Sequence, residues 1–192
     1  MLSLLTKSKI TQKIILLFVY NPGRRYYINE IARIVDTSAG NTQRALKKIE
    51  KTGYLIKENQ GNLTYYRANT ADPSYSDFKN LVDKTIGIDK ILQEELSRIS
   101  SIQFAFIFGS YVKGDFRTDS DIDLYVVGEV NEETLYQAVK RAEQTINREI
   151  NYHFSDFTEF AKKIKQSFFH QDITQNYHLI IGDENEFRRA IQ

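Results

Sequence analysis

One stretch constrains the fold of this chain more than any other: residues 104–128, FAFIFGSYVKGDFRTDSDIDLYVVG. Phe104–Phe108 is an apolar run of strand length, and Gly109-Ser110 ends it. A short helical turn to Lys113-Gly114 and a polar loop over 115–120 follow. Asp121 to Val127 then reads as a second strand. Side chains alternate along a strand, so Asp121 and Asp123 share one face while Ile122 and Leu124 turn to the core.

Two carboxylates so near each other repel, and one pKa rises unless a cation lies between them. Hard, oxygen-seeking Mg2+ is the natural cation. Gly109 lets backbone approach a phosphate closely, and Ser110 with the free amides of the following turn can take its oxygens. Together the pieces suit a phosphate group delivered to one or two metal ions.

The composition removes other chemistries. The 192 residues suffice for one large domain or two small ones. There is no cysteine, which excludes a disulfide scaffold, a thiol nucleophile and any Cys-ligated metal. Three scattered histidines leave little for a His-based centre, and His170 and His178 read as structural. The longest apolar run, Ile14–Tyr20, falls far short of the roughly 18 residues of a membrane helix. No membrane partner is expected, and the chain reads as cytoplasmic. The net charge of +1 hides a division: residues 1–70 carry 12 Lys+Arg against 4 Asp+Glu, and residues 71–192 carry 14 against 21. Two modules with different partners are implied, the basic one meeting phosphate.

The basic segment carries its own pattern. A helix around Thr11–Val19 is stopped by Asn21-Pro22-Gly23, and Tyr26-Tyr27 reads as a short strand. Ile28, Ile31, Ala32, Ile34 and Val35 give a second helix. Ser38 caps a third, from about Ala39 to Lys51, which Gly53 closes. Two short strands then flank Gln60-Gly61-Asn62, a hairpin signal. Helix, helix, helix and hairpin in this order resemble the winged helix-turn-helix family of DNA-binding domains. The resemblance implies that the third helix enters the major groove and the wing touches adjacent backbone. It places Ser38, Asn41, Thr42, Gln43 and Arg44 at the groove-facing start of that helix, Lys47, Lys48 and Lys51 further along, and Asn62 at the wing tip. Asn, Gln and Arg can read base edges, and Lys suits phosphate. Winged helices usually meet paired half-sites, so a homodimer is the expectation.

Gly-Ser, ten residues, then Asp-Ile-Asp on a strand resembles the DNA polymerase β-like nucleotidyltransferase superfamily, most closely its minimal branch. That likeness implies a mixed sheet with helices, an NTP bound with Mg2+, and transfer of a nucleoside monophosphate to an acceptor. It implies that Gly109 and Ser110 hold the β- and γ-phosphates, that Asp121 and Asp123 bind metal, that Lys113 approaches the triphosphate and that Ser120 positions the loop. Relatives carry a third carboxylate on a later strand. Here the strand Arg148–Phe154 presents Glu149, Asn151 and His153 on its polar face, and the matching position holds Asn151. Glu149, one pleat away, is the substitute, with His153 as another proton acceptor.

The expected fold is therefore α/β in two domains: a winged helix over 1–72, a connecting helical stretch over 73–100, and a nucleotidyltransferase-like mixed sheet over 101–192. The expected partners are DNA, ATP or another NTP, and a protein or small-molecule acceptor. The alternative is a transcriptional regulator whose second domain only senses nucleotide.

Overall fold

The structure, a computed structural model, describes residues 8–115, 117 and 120–192. The expected loop at 115–120 thus lies partly outside the described residues. The chain divides into two compact units. One runs to Lys90 with Thr145–Asn147 counted in it, and the other comprises Ile91–Gln144 and Arg148–Gln192.

The first unit is built around α1 (Lys9–Tyr20). Ser8 caps it, its hydroxyl accepting from the Thr11 amide at 3.4 Å. Ile14 to Val19 are all at most 2% exposed, so the second half of the helix is apolar on every side because it is enclosed there. Then come β1 (Arg25–Tyr27), α2 (Ile28–Ile34), α3 (Ala39–Glu50), β2 (Leu55–Gln60) and β3 (Leu63–Ala68). The strands form an antiparallel sheet in the order β1-β3-β2. Next, α4 (Tyr75–Ile86) buries Phe78 and Val82. The Phe78 ring meets Tyr54 edge-on, with centroids 4.7 Å apart. Tyr20 ties the end of α4 to α1: its hydroxyl donates to Asp83 Oδ1 at 2.9 Å and accepts from the Ile88 amide at 3.1 Å. Gly87, between α4 and α5 (Ile88–Leu96), has no room for a side chain. A Cβ there would sit 2.5 Å from the Asp83 carbonyl oxygen and 2.8 Å from the Tyr20 hydroxyl.

The second unit is a mixed α/β fold. Its elements are β4 (Ile102–Phe108), α6 (Ser110–Lys113), β5 (Ile122–Gly128), α7 (Glu132–Ile146), β6 (Ile150–Ser155), α8 (Phe157–Gln166), α9 (Phe168–Ile173), β7 (His178–Ile181) and α10 (Glu184–Ala190). The sheet order is β6-β5-β4-β7. β4 runs antiparallel to both β5 and β7. β5 and β6 are parallel, which demands a crossover, and α7 supplies it. Phe104, Phe106, Phe108, Tyr125 and Val127 project from one face and pack with Phe160, Ile173 and Phe187. The alternate residues Ala105, Ile107, Ile122, Leu124 and Val126 are wholly buried, as are Leu135, Ala138, Ala142 and Ile146 along α7. Both faces of the central strands are covered, which is why they read as continuous apolar runs.

The apolar residues Phe157, Phe160, Ala161, Ile164 and Phe168 have the spacing of a single helix, but the structure breaks the stretch at Ser167 (φ −121°, ψ 120°). The Ser167 hydroxyl pairs with Nδ1 of His170 at 3.0 Å, a local side-chain bond that competes with continued helix.

Candidate functional site

The Gly-Ser turn and the two aspartates meet at one end of the sheet. Phe108, the last residue of β4, stands opposite Asp123 of β5. Gly109 follows at φ 72°, ψ −145°, a conformation that only glycine adopts readily. A Cβ there would collide with the Asp123 carboxylate oxygen and lie 3.2 Å from its Cγ. The backbone at the turn is thus packed directly on Asp123. α6 closes at Gly114 in the left-handed region, with the Asp115 amide donating to the Ser110 carbonyl at 3.1 Å.

Asp121 falls one residue before β5 and is exposed, whereas Asp123 is half-buried. Burial first, then the charge of Asp121, pushes the Asp123 carboxyl above the usual carboxylate range, and His153 partly offsets this. Such a pair is relieved by a cation held between the carboxylates, and two hard oxygen donors fit Mg2+.

β6 brings the third expected position. Asn151 stands level with Asp123 in the parallel register, and its Nδ2 donates to Asp121 Oδ2 at 3.2 Å. Glu149 is exposed; its carbonyl accepts from the Ile122 amide at 3.0 Å. The Glu149 charge acts on Lys140 of α7 and is not among the causes that shift Asp123. No group of three or more His, Cys, Asp or Glu that could hold a metal occurs among the described residues. The structure thus brings the Asn151 amide to Asp121, with Asn151 level with Asp123.

Lys113 is exposed and faces Asp172 at 3.7 Å. Ser120 Oγ accepts from the Arg117 amide at 3.0 Å. His153 is exposed on β6, its ring centroid 5.6 Å from Phe169 of α9, which lies 5.8 Å from Phe108. His170 is buried, with Nε2 3.1 Å from the Tyr125 hydroxyl, whereas His178 is exposed. Sequence reasoning passed over Arg148, which is buried at the entry to β6. A lone arginine ahead of a strand gives no signal by itself.

In the first unit, Ser38 caps α3 by accepting from the Asn41 amide at 3.3 Å. Gln43, Arg44, Lys47, Lys48 and Lys51 are exposed, as is Asn62 at the hairpin tip. Thr42 departs from expectation: it is 0% exposed, and its hydroxyl donates to the Ser38 carbonyl at 3.1 Å. Its place three residues before Ala45 and four before Leu46, both buried, puts it on the inner face. Asn41 is half-buried, and its Oδ1 accepts from Arg44 at 2.5 Å.

A family comparison agrees with the mixed α/β fold of the second unit. Residues 89–186 match the family described as polymerase beta, nucleotidyltransferase. No curated protein matches the chain. Among solved structures, a toxin–antitoxin with AMP-PNP is 13% identical with a TM-score of 0.41, over 54% of this chain and 80% of its own. A tri-AMPylated HEPN toxin in complex with MNT antitoxin from Shewanella oneidensis is 11% identical at TM-score 0.35, over 54% and 80%. A nucleotidyltransferase from Sulfolobus solfataricus is 24% identical at TM-score 0.29, over 47% and 73%. The family match spans just over half of the sequence and contains Gly109, Ser110, Asp121 and Asp123: the chain belongs to the polymerase beta nucleotidyltransferase family.

Proposed function

We propose that the second unit transfers a nucleoside monophosphate from ATP or another NTP to a protein or small-molecule acceptor, and that the first unit is a winged helix that binds DNA. The observation that carries the enzymatic half is the packing of Gly109 on the Asp123 carboxylate, with Asp121 beside it. It sets the backbone of the Gly109 turn directly against the pair of aspartates.

In this reading Asp121 and Asp123 hold Mg2+. When bound, the cation neutralises the pair and draws charge from the phosphate oxygens. Gly109 and the Ser110 turn hold the β- and γ-phosphates, Lys113 lies at the margin of the triphosphate, and Ser120 orders the turn before Asp121. The acceptor's oxygen bonds to the α-phosphorus as the bond to pyrophosphate breaks. Glu149 and His153 on the polar face of β6 are the groups able to take the acceptor's proton, because Asn151 is not.

Support for the DNA-binding half comes from the order α1-β1-α2-α3-β2-β3, the antiparallel sheet and the exposed Gln43, Arg44, Lys47, Lys48 and Lys51 on one helix. The basic balance of residues 1–70 suits a polyanion.

A second reading has its own observation. Asn151 occupies the place of a third carboxylate and hydrogen-bonds Asp121, which favours a unit that binds nucleotide without turnover and so alters DNA affinity.

The test is incubation of the pure protein with Mg2+, an α-phosphate-labelled NTP panel and cell lysate, beside Asp123→Asn. Label on an acceptor with the wild type alone supports transfer. Mg-dependent retention of nucleotide without label supports the second reading. Neither label nor retention sinks both.

A further inference from the structure

Asp121 lies outside β5, so strand pairing does not fix it, yet its distance from Asp123 decides where a cation can sit. Contacts from residues 148–151 reach it and the residues on either side of it. The Glu149 carbonyl takes the amide of Ile122 at 3.0 Å. Asn151 donates to the Asp121 carboxylate at 3.2 Å. The third comes from Arg148, 9% exposed. Its Nη1 donates to the carbonyl oxygens of Arg117 at 2.9 Å and Ser120 at 2.7 Å.

Arg117 and Ser120 also bond to each other. The Ser120 amide donates to the Arg117 carbonyl at 3.2 Å, and the Arg117 amide donates to Ser120 Oγ at 3.0 Å. One nitrogen of the buried guanidinium thus holds both residues, and the residue after Ser120 is Asp121. The donors used here go to main-chain oxygens, so what they fix is backbone position. Arginine suits this because its planar group is always charged and carries several donors in fixed directions, whereas lysine offers one compact, strongly hydrated head. Losing the two carbonyl contacts of Nη1 would leave that charge buried without them, at a cost in free energy.

We infer that Arg148 is a positioning residue: by holding the carbonyls of Arg117 and Ser120 it sets the place of Asp121 against Asp123, and with it the affinity of the pair for a divalent cation. The cation half rests on the transfer reading above; the carbonyl-holding half does not.

Trypsin cleaves after Arg117, which is exposed, and so reports the order of the backbone there without reference to activity. In Arg148→Gln, cleavage at that bond is expected to quicken by about tenfold or more. Cleavage after Lys57, in the other unit, should stay as in the wild type. The Mg2+ concentration for half-maximal retention of labelled ATP is expected to rise by about tenfold, with retention recovered at saturating Mg2+. Arg148→Lys should fall between. Unchanged cleavage after Arg117, or an unchanged Mg2+ midpoint in a variant that merely melts earlier, overturns the assignment and leaves Arg148 a packing residue. If Arg148→Gln does not fold, Arg148→Lys is judged by the same two readouts. If the wild type retains no nucleotide at any Mg2+ concentration, the transfer reading fails, and the cleavage data alone decide whether Arg148 holds those carbonyls.

Discussion

The amide of Asn151 donates a hydrogen bond to the carboxylate of Asp121 at 3.2 Å while standing level with Asp123 in the adjacent strand. A neutral donor at this spot eases the repulsion between the two aspartates without adding a ligand charge. Asn151→Asp reverses both effects. The variant should unfold a few degrees earlier in chelator, because three carboxylates then share one small volume. It should retain nucleotide at about tenfold lower Mg2+, since cation affinity rises with ligand charge. Thermal unfolding and labelled-ATP retention across a Mg2+ series check the two halves. Equal midpoints with and without Mg2+ would remove Asn151 from the site.

Gly109→Ala tests the close packing of the turn on Asp123. The new methyl meets the carboxylate, and φ at 72° is itself unfavourable for alanine. A loss of about 1–3 kcal/mol in stability is expected from the backbone alone. Displacement of Asp123 should cut nucleotide transfer by about 100-fold. Chemical denaturation and the label-transfer assay measure these separately. A variant with wild-type transfer would show that the turn does not set the position of Asp123.

His170 gives the second unit an acid-sensitive seam. Burial, and then the charges of Lys163 and His153, hold its pKa below the usual histidine value of 6.5. Its ring bridges the Tyr125 hydroxyl and Ser167. The group is neutral in the folded chain and protonates more readily in the unfolded one. Its stabilising contribution is therefore complete above the unfolded pKa and is lost as pH falls below it. The unfolding midpoint should drop from pH 7.5 to about pH 5 more steeply in the wild type than in His170→Gln. Parallel curves would show that another group governs the acid limb.

On the first unit, Arg44→Ala should weaken binding to duplex DNA carrying the cognate site and relax its sequence preference, at about 1–3 kcal/mol for a base contact. Lys48→Ala should weaken binding to all duplexes alike and reduce the slope of log K against log salt by about 1. Fluorescence anisotropy at several salt concentrations separates them. If neither variant alters affinity or slope, the exposed face of α3 does not meet DNA.

Much of this arrangement is written locally in the sequence. The crossover helix runs over Glu132–Ile146 as its apolar period suggests, and Ser38 caps α3 by the expected bond. Asp123 turns away from its buried neighbours Ile122 and Leu124 because side chains alternate along β5. What the sequence hides is set by partners distant along the chain. Thr42 looks like a polar surface residue until its inward position lets its hydroxyl bond back to Ser38. The break at Ser167 depends on His170, and the value of Arg148 depends on carbonyls 28 and 31 residues away. Glu149 and Asn151 alternate with buried neighbours alike; only the register with β5 decides which of them meets Asp121.

The Tyr20 hydroxyl fixes where the basic half can be excised. Cutting after residue 72 would strip Phe78 and Val82 from a unit in which both are buried, uncover one side of Tyr54, and leave that hydroxyl without Asp83 or the Ile88 amide. A self-sufficient fragment of the first unit should therefore extend past Ile88. A shorter one is expected to precipitate or melt near room temperature, and its failure to bind an operator would then reflect a damaged fold and say nothing about the face of α3.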